Sequence, residues 1–137
     1  MVFRSSLGAL LLVLLVACGG APVSTLTAQS VVDAFIAAGL DVTNVAPDDF
    51  PADSPHPKSF KQQLGFVIPS LGDKGGQVFV CDTKKNCDAI YAYHDMLQGL
   101  GGPYHYQSPS GLVVAQLNSG LTPEMAAQFE QVVNSFK

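Results

Sequence analysis

The residue types in this chain most able to do chemistry are three cysteines and three histidines, and their spacing narrows what that chemistry can be. Cys81 ends a β-rich run and Cys87 opens a helical pattern, with Asp82-Thr83-Lys84-Lys85-Asn86 between them. Such a thiol pair can be a structural crosslink or a redox couple, because a cysteine near a helix N-terminus has a lowered thiol pKa. The spacing is not Cys-x-x-Cys, and no βαβ frame of the thioredoxin kind surrounds it. His56, His94 and His105 fall in a loop, a helix and a strand, and no pair has a ligand spacing such as His-x₃-His, so no metal site is expected. His94 beside Asp95 reads as solvated helix surface.

Other patterns are weaker. "DTKKNCD" offers oxygens at Asp82, Asn86 and Asp88. Lysine at its third position and the missing glycine and terminal glutamate set it apart from a calcium loop. "GDKGG" lacks the Gly-Lys-Ser/Thr ending and following helix of a phosphate loop, and a hairpin turn explains it better. No Gly-x-Ser-x-Gly elbow is present and no carboxylate pair stands out for acid/base work. A non-enzymatic protein without a cofactor is the expectation. Tyr91, Tyr93, Tyr104 and Tyr106 flank a glycine-rich turn and could line one binding patch, since each has a broad apolar body and a polar tip; tyrosines also cap ordinary cores.

The N-terminus determines where this chemistry would occur. A short start with Arg4, an apolar run over residues 7–16 and small residues before Cys18 have the layout of a secretory signal. A spanning helix needs about 20 apolar residues, and this run stops at Gly19, Gly20 and Pro22. Leu15-Val16-Ala17-Cys18 resembles the lipobox of bacterial lipoproteins, with leucine three residues before the cysteine and a small residue just before it. The resemblance implies that diacylglycerol is attached to the Cys18 sulfur and that a signal peptidase cuts between Ala17 and Cys18. Residues 1–17 are then a removed leader, 18–26 a lipidated tether, and 27–137 one domain. Two or three acyl chains anchor stably where one does not. The expected location is the extracytoplasmic side of a cell membrane, inner or outer left open.

With Cys18 acylated, an odd cysteine count becomes a pair. In an oxidising compartment, the strand-to-helix turn can bring the Cα atoms of Cys81 and Cys87 within the roughly 4.4–6.8 Å that a disulfide spans. The charge balance is acidic, seven basic against eleven acidic residues, and loss of Arg4 deepens it. A phosphate-neutralising basic stripe is missing, so nucleic acid is not an expected partner, and anionic headgroups would not attract the domain.

The elements that would position these residues follow from periodicity. Val32, Phe35, Ile36 and Leu40 recur at helical steps after Thr27, a capping residue, with Gly39 suited to the C′ position. A short strand is expected at 41–45, then a proline-rich stretch at 46–58, "APDDFPADSPHPK", either an ordered loop or a mobile arm. Phe66-Val67-Ile68 and residues 77–81 form a hairpin around "PSLGDKGG". A second helix over 86–98, with Asn86 as cap, carries Ile90, Tyr93 and Leu97 on one stripe. Residues 104–108 and 112–118 form a second hairpin, and Thr122-Pro123-Glu124 opens the last helix.

The order α-β-β-β-α-β-β-α with short links predicts an α+β two-layer sandwich: a mostly antiparallel five-stranded sheet with three helices. From Thr27 onward the chain resembles small α+β bacterial lipoproteins of unassigned function, which carries over no site residue. The apolar runs Phe66-Val67-Ile68, Val78-Phe79-Val80 and Leu112-Val113-Val114-Ala115 lack inward/outward alternation, so both sheet faces need cover. If the helices lie on one face, the other needs the proline-rich arm, a second copy or a partner. The expected role is an interaction or assembly module of the cell envelope, binding an envelope protein or its own copy through a sheet face. The alternatives are small-ligand binding through the tyrosines and thiol-disulfide exchange by Cys81 and Cys87.

Overall fold

The computed structural model describes residues 25–137; the leader, the lipobox and Cys18 lie outside the described residues. Among the described residues the fold is α+β, five antiparallel strands and four α-helices of which three are longer than one turn. Helix α1 (Ala28–Ala37) is followed by strands β1 (Thr43–Ala46), β2 (Gln62–Val67) and β3 (Gly75–Val80), helices α2 (Lys84–Met96) and α3 (Gln98–Gly101), strands β4 (His105–Gln107) and β5 (Val113–Leu117), and helix α4 (Pro123–Val133). The sheet order is β1-β2-β3-β5-β4.

Local chemistry sets most boundaries. The Thr27 hydroxyl oxygen accepts from the Ser30 N–H while Ser30 Oγ accepts from the Thr27 N–H, so α1 starts with two orphan donors satisfied reciprocally. It ends where Gly39 takes φ +81°, which lets the Leu40 N–H reach the Phe35 carbonyl and the Gly39 N–H reach the Ile36 carbonyl. Helix α4 begins at Thr122 and Pro123 as the sequence predicts. Helix α2 begins two residues before the expected start. The Thr83 hydroxyl accepts from the Asn86 N–H, so Asn86 sits at the third helical position and Thr83 is the cap.

Strand alternation divides the core between two faces. Phe66, Val78, Val80, Val113, Ala115 and Leu117 meet Val31, Val32 and Phe35 of α1 and Ala126, Phe129 and Val133 of α4. Phe35, Phe66 and Phe129 form an aromatic triangle with ring centroids 4.9–6.3 Å apart. On the opposite face Phe79 and Val114 meet Cys87 and Ile90 of α2, with Phe50 and Phe60 packed alongside.

The helices are thus shared between both faces, which adds a layer to the two-layer arrangement expected. The physical reason is the one the apolar runs raised: a central strand buried on both sides must have cover on both sides. The chain supplies it with α2 and the proline-rich arm. The arm, residues 47–61 between β1 and β2, is an ordered loop, held by the Lys61 N–H donating to the Val80 carbonyl and Ser59 Oγ donating to the Asn86 carbonyl. Among the described residues no helix is long and apolar enough to cross a membrane.

Candidate functional site

The second face is where the chemistry-bearing residues gather. Cys81 and Cys87 are disulfide-bonded with Cα atoms 5.7 Å apart, joining the end of β3 to the first turn of α2. Closing so short a loop restricts the unfolded chain by about 2 kcal/mol in the loop-entropy picture. Both residues are buried against Phe79, Ile90 and Val114, so neither sulfur is presented to an incoming thiolate.

The four tyrosines do not share a patch. Residues 104 and 106 project to the α1/α4 side, where Tyr104 and Tyr106 pack on the main core. His105 projects the other way, onto Tyr91 of α2 with centroids 4.9 Å apart. Tyr93 belongs to yet another contact, edge-on to His56 at 4.8 Å. Period-two alternation therefore puts the sheet itself between the two pairs.

His56 is instead the centre of an aromatic box. Its ring stacks on Phe79 at 5.1 Å, lies 4.6 Å from Phe50, and meets Tyr93 and His94 edge-on. The Nδ1 nitrogen donates to the Pro57 carbonyl at 2.8 Å, which leaves Nε2 with its lone pair, 3.3 Å from Nε2 of His94. Burial pushes the His56 pKa down, opposed by the bond to Pro57. Burial also pushes His94 down to about 4, helped by the charge that His56 and His105 would carry if protonated. The adjacent pair, Asp95 and His105, is simpler: His105 Nε2 donates to the Asp95 carboxylate at 3.1 Å and its buried Nδ1 has no partner among the described residues.

These two depressed values give a pH dependence. Between about 4 and 6.5 the unfolded chain binds protons at His94 that the folded chain refuses, so stability rises with pH across that window and is lost on acidification. The expected result is a lower urea midpoint at pH 5 than at pH 7.5, with a smaller difference in His94→Gln. An equal pH response in that variant would remove His94 as the cause.

Beside the histidines runs a cleft with a polar floor. Gln63, Gln77 and Gln116, from β2, β3 and β5, point to the same face and pass hydrogen bonds one way. Gln63 Nε2 donates to Gln77 Oε1 at 3.3 Å, Gln77 Nε2 to Gln116 Oε1 at 3.2 Å, and Gln116 Nε2 to the Leu117 carbonyl at 2.9 Å. Gln63 also exchanges two bonds with Asp48 of the arm, which lies over Gly65, where a side chain would collide with the carboxylate. At one end the cleft opens to about 620 Å³ among Asn44, Asp48, Asp49, Asp73 and Asn118. At the other it narrows to about 340 Å³ among His56, Tyr93, His94, Leu97 and Leu100. Gln77 and Gln116 line both ends.

Among the described residues the lining carries carboxylates, amides and aromatic or aliphatic walls, with no lysine or arginine. The carboxylates of Asp48, Asp49 and Asp73 repel an anion there. A neutral ligand rich in hydroxyls meets acceptors and one donor, because each ladder oxygen keeps one lone pair and Gln77 keeps one N–H, whereas the second N–H of Gln63 goes to Asp48 and that of Gln116 to the Gly101 carbonyl. Periodicity could not reveal this site. The glutamines are separated by 14 and 39 residues and converge only through strand register. Among the described residues no group of three or more His, Cys, Asp or Glu side chains is placed to hold a metal ion. Comparison of the chain with protein-family models, with curated proteins and with solved structures finds no match.

Proposed function

We propose that the protein is a lipid-anchored extracytoplasmic binding protein, tethered through Cys18, that takes a small neutral hydroxyl-bearing ligand into the cleft over its sheet. The glutamine ladder carries this reading: three aligned amides with a free lone pair on each oxygen and a free N–H on Gln77, set on a rigid sheet and walled by an ordered arm, form a preorganised polar surface. The sequence favoured an assembly module because bare apolar faces would need an outside partner. With α2 and the arm supplying cover, that motive weakens, and small-ligand binding moves ahead. A protein contact keeps one foothold, the exposed Leu100 at the narrow end of the cleft and the exposed Met96 four residues before it.

The test uses the full chain in detergent. A thermal-shift panel of neutral mono- and disaccharides, with a sugar phosphate as the anionic control, is expected to give a saturable rise in Tm for a neutral sugar alone, since any ligand held only by the native state raises it. Gln77→Met, near in volume but without the amide, should abolish the rise. No shift with any neutral sugar, or an equal shift in Gln77→Met, would overturn the ligand reading. In the same preparation, detergent-phase partitioning that is lost in Cys18→Ser supports the anchor; partitioning that is unchanged in the variant counts against it.

A further inference from the structure

We propose that His56 and His94 form a two-nitrogen seat for a divalent transition-metal ion of the copper or zinc type, with its remaining coordination positions open toward the narrow end of the cleft. This goes beyond the ligand reading, since it stands on two side chains and would survive the failure of every saccharide.

Geometry comes first. The facing Nε2 atoms are 3.3 Å apart, long for a hydrogen bond between ring nitrogens. Two nitrogens at that separation, each about 2.1 Å from one ion, subtend roughly 104°, between the square-planar and tetrahedral angles that copper and zinc accept. Preparation is the second observation. A ligating histidine commonly donates its other nitrogen to a backbone carbonyl, which fixes the tautomer and raises the basicity of the ligating atom. His56 does this through Nδ1 to Pro57. The stack on Phe79 and the contacts with Phe50 and Tyr93 hold the ring in place, so little ordering remains to be done when an ion arrives.

Protonation agrees. Burial disfavours the charged form of both rings, lowering the pKa of His56 and bringing that of His94 down to about 4. With both rings neutral and each carrying its proton on Nδ1, both Nε2 lone pairs turn to the ion, so binding to the neutral pair releases no net proton. Two imidazoles are soft enough to favour Cu(II) and Zn(II) over Mg(II) and Ca(II), which prefer oxygen. Water, the Gln77 or Gln116 amide oxygens that line the same space, or a bound ligand would complete the shell.

The experiment titrates the full chain in detergent, in a Cys18→Ser background that leaves no thiol outside the disulfide, after stripping with a chelator. Cu(II) is followed by electron paramagnetic resonance and Zn(II) by calorimetry, each ion alone. The expected result is one saturable equivalent, a copper spectrum showing two coordinated imidazole nitrogens, at least tenfold weaker binding in His94→Gln, and no change in His105→Gln. Absence of saturable binding, or equal affinity in a folded His94→Gln, would overturn the proposal. Should that variant not fold, the spectrum of the chain with its three histidines intact decides, because coordination by fewer than two imidazoles is itself incompatible with the seat.

Discussion

Phe79→Ala is expected to destabilise the protein by about 4 kcal/mol, the range found when a large aromatic is removed from a packed interior. Phe79 is fully buried in the central strand β3. Its ring touches elements that share no backbone hydrogen-bond ladder with one another: His56 and Phe60 of the arm at 5.1 and 5.4 Å, and His94 of α2 at 5.7 Å. The loss would therefore combine the transfer free energy of the ring with a cavity that the arm cannot close without abandoning its bonds to Gln63 and Asn86. Urea unfolding of the purified variant measures the first effect. Faster proteolysis within residues 47–61 would report the second. Phe79→Leu should recover more than half of the stability. A Phe79→Ala cost below about 1 kcal/mol would mean that the arm is not packed on the sheet.

Gly75→Ala is the second large effect, about 3 kcal/mol, although it adds only a methyl group. Gly75 pairs with Val67 across the hairpin, and a Cβ there would run into the Phe66 carbonyl and the Val67 Cα. Those atoms are backbone, held in the β2/β3 register, so the clash can be relieved only by opening the ladder at its turn end. Gly99 supplies the control: nothing stands where its Cβ would go and its φ is not positive, so Gly99→Ala should fall within about 0.5 kcal/mol of neutral. Equal costs at the two positions, measured by the same unfolding experiment, would refute the steric account.

The contrast between these residues mirrors what the sequence did and did not disclose. Elements governed by neighbours in the chain were legible. Thr122-Pro123 opens α4, Gly39-Leu40 closes α1, and the apolar run around Phe79 announced a strand buried on both sides. Grouping the tyrosines failed because it counted proximity along the chain and ignored alternation, which sends Tyr104 and Tyr106 through the sheet from Tyr91 and Tyr93. The cap of α2 was misplaced because Asn and Thr both cap well, and only the backbone shows that the Asn86 N–H is the group being capped.

Long-range convergence was invisible. His56 and His94 stand 38 residues apart, one in a segment whose prolines erase any period, and no spacing rule joins them. The proline density was read correctly as neither helix nor strand. What it concealed was that Phe50, His56 and Phe60 turn that segment into part of the core.

The sheet's borders bear on life at a surface. A lipid-tethered protein, as proposed for this chain, meets its own copies at a two-dimensional density far above anything in bulk solution, and an open strand is then an invitation to polymerise. Here one border is β4, three residues long, and the other is β1, four residues with an interrupted register and Asn44 at φ +50°. Neither offers a long flat row of unpaired N–H and C=O groups for a neighbour to extend. Copies can crowd together on one bilayer and still remain separate molecules, each with its cleft unobstructed.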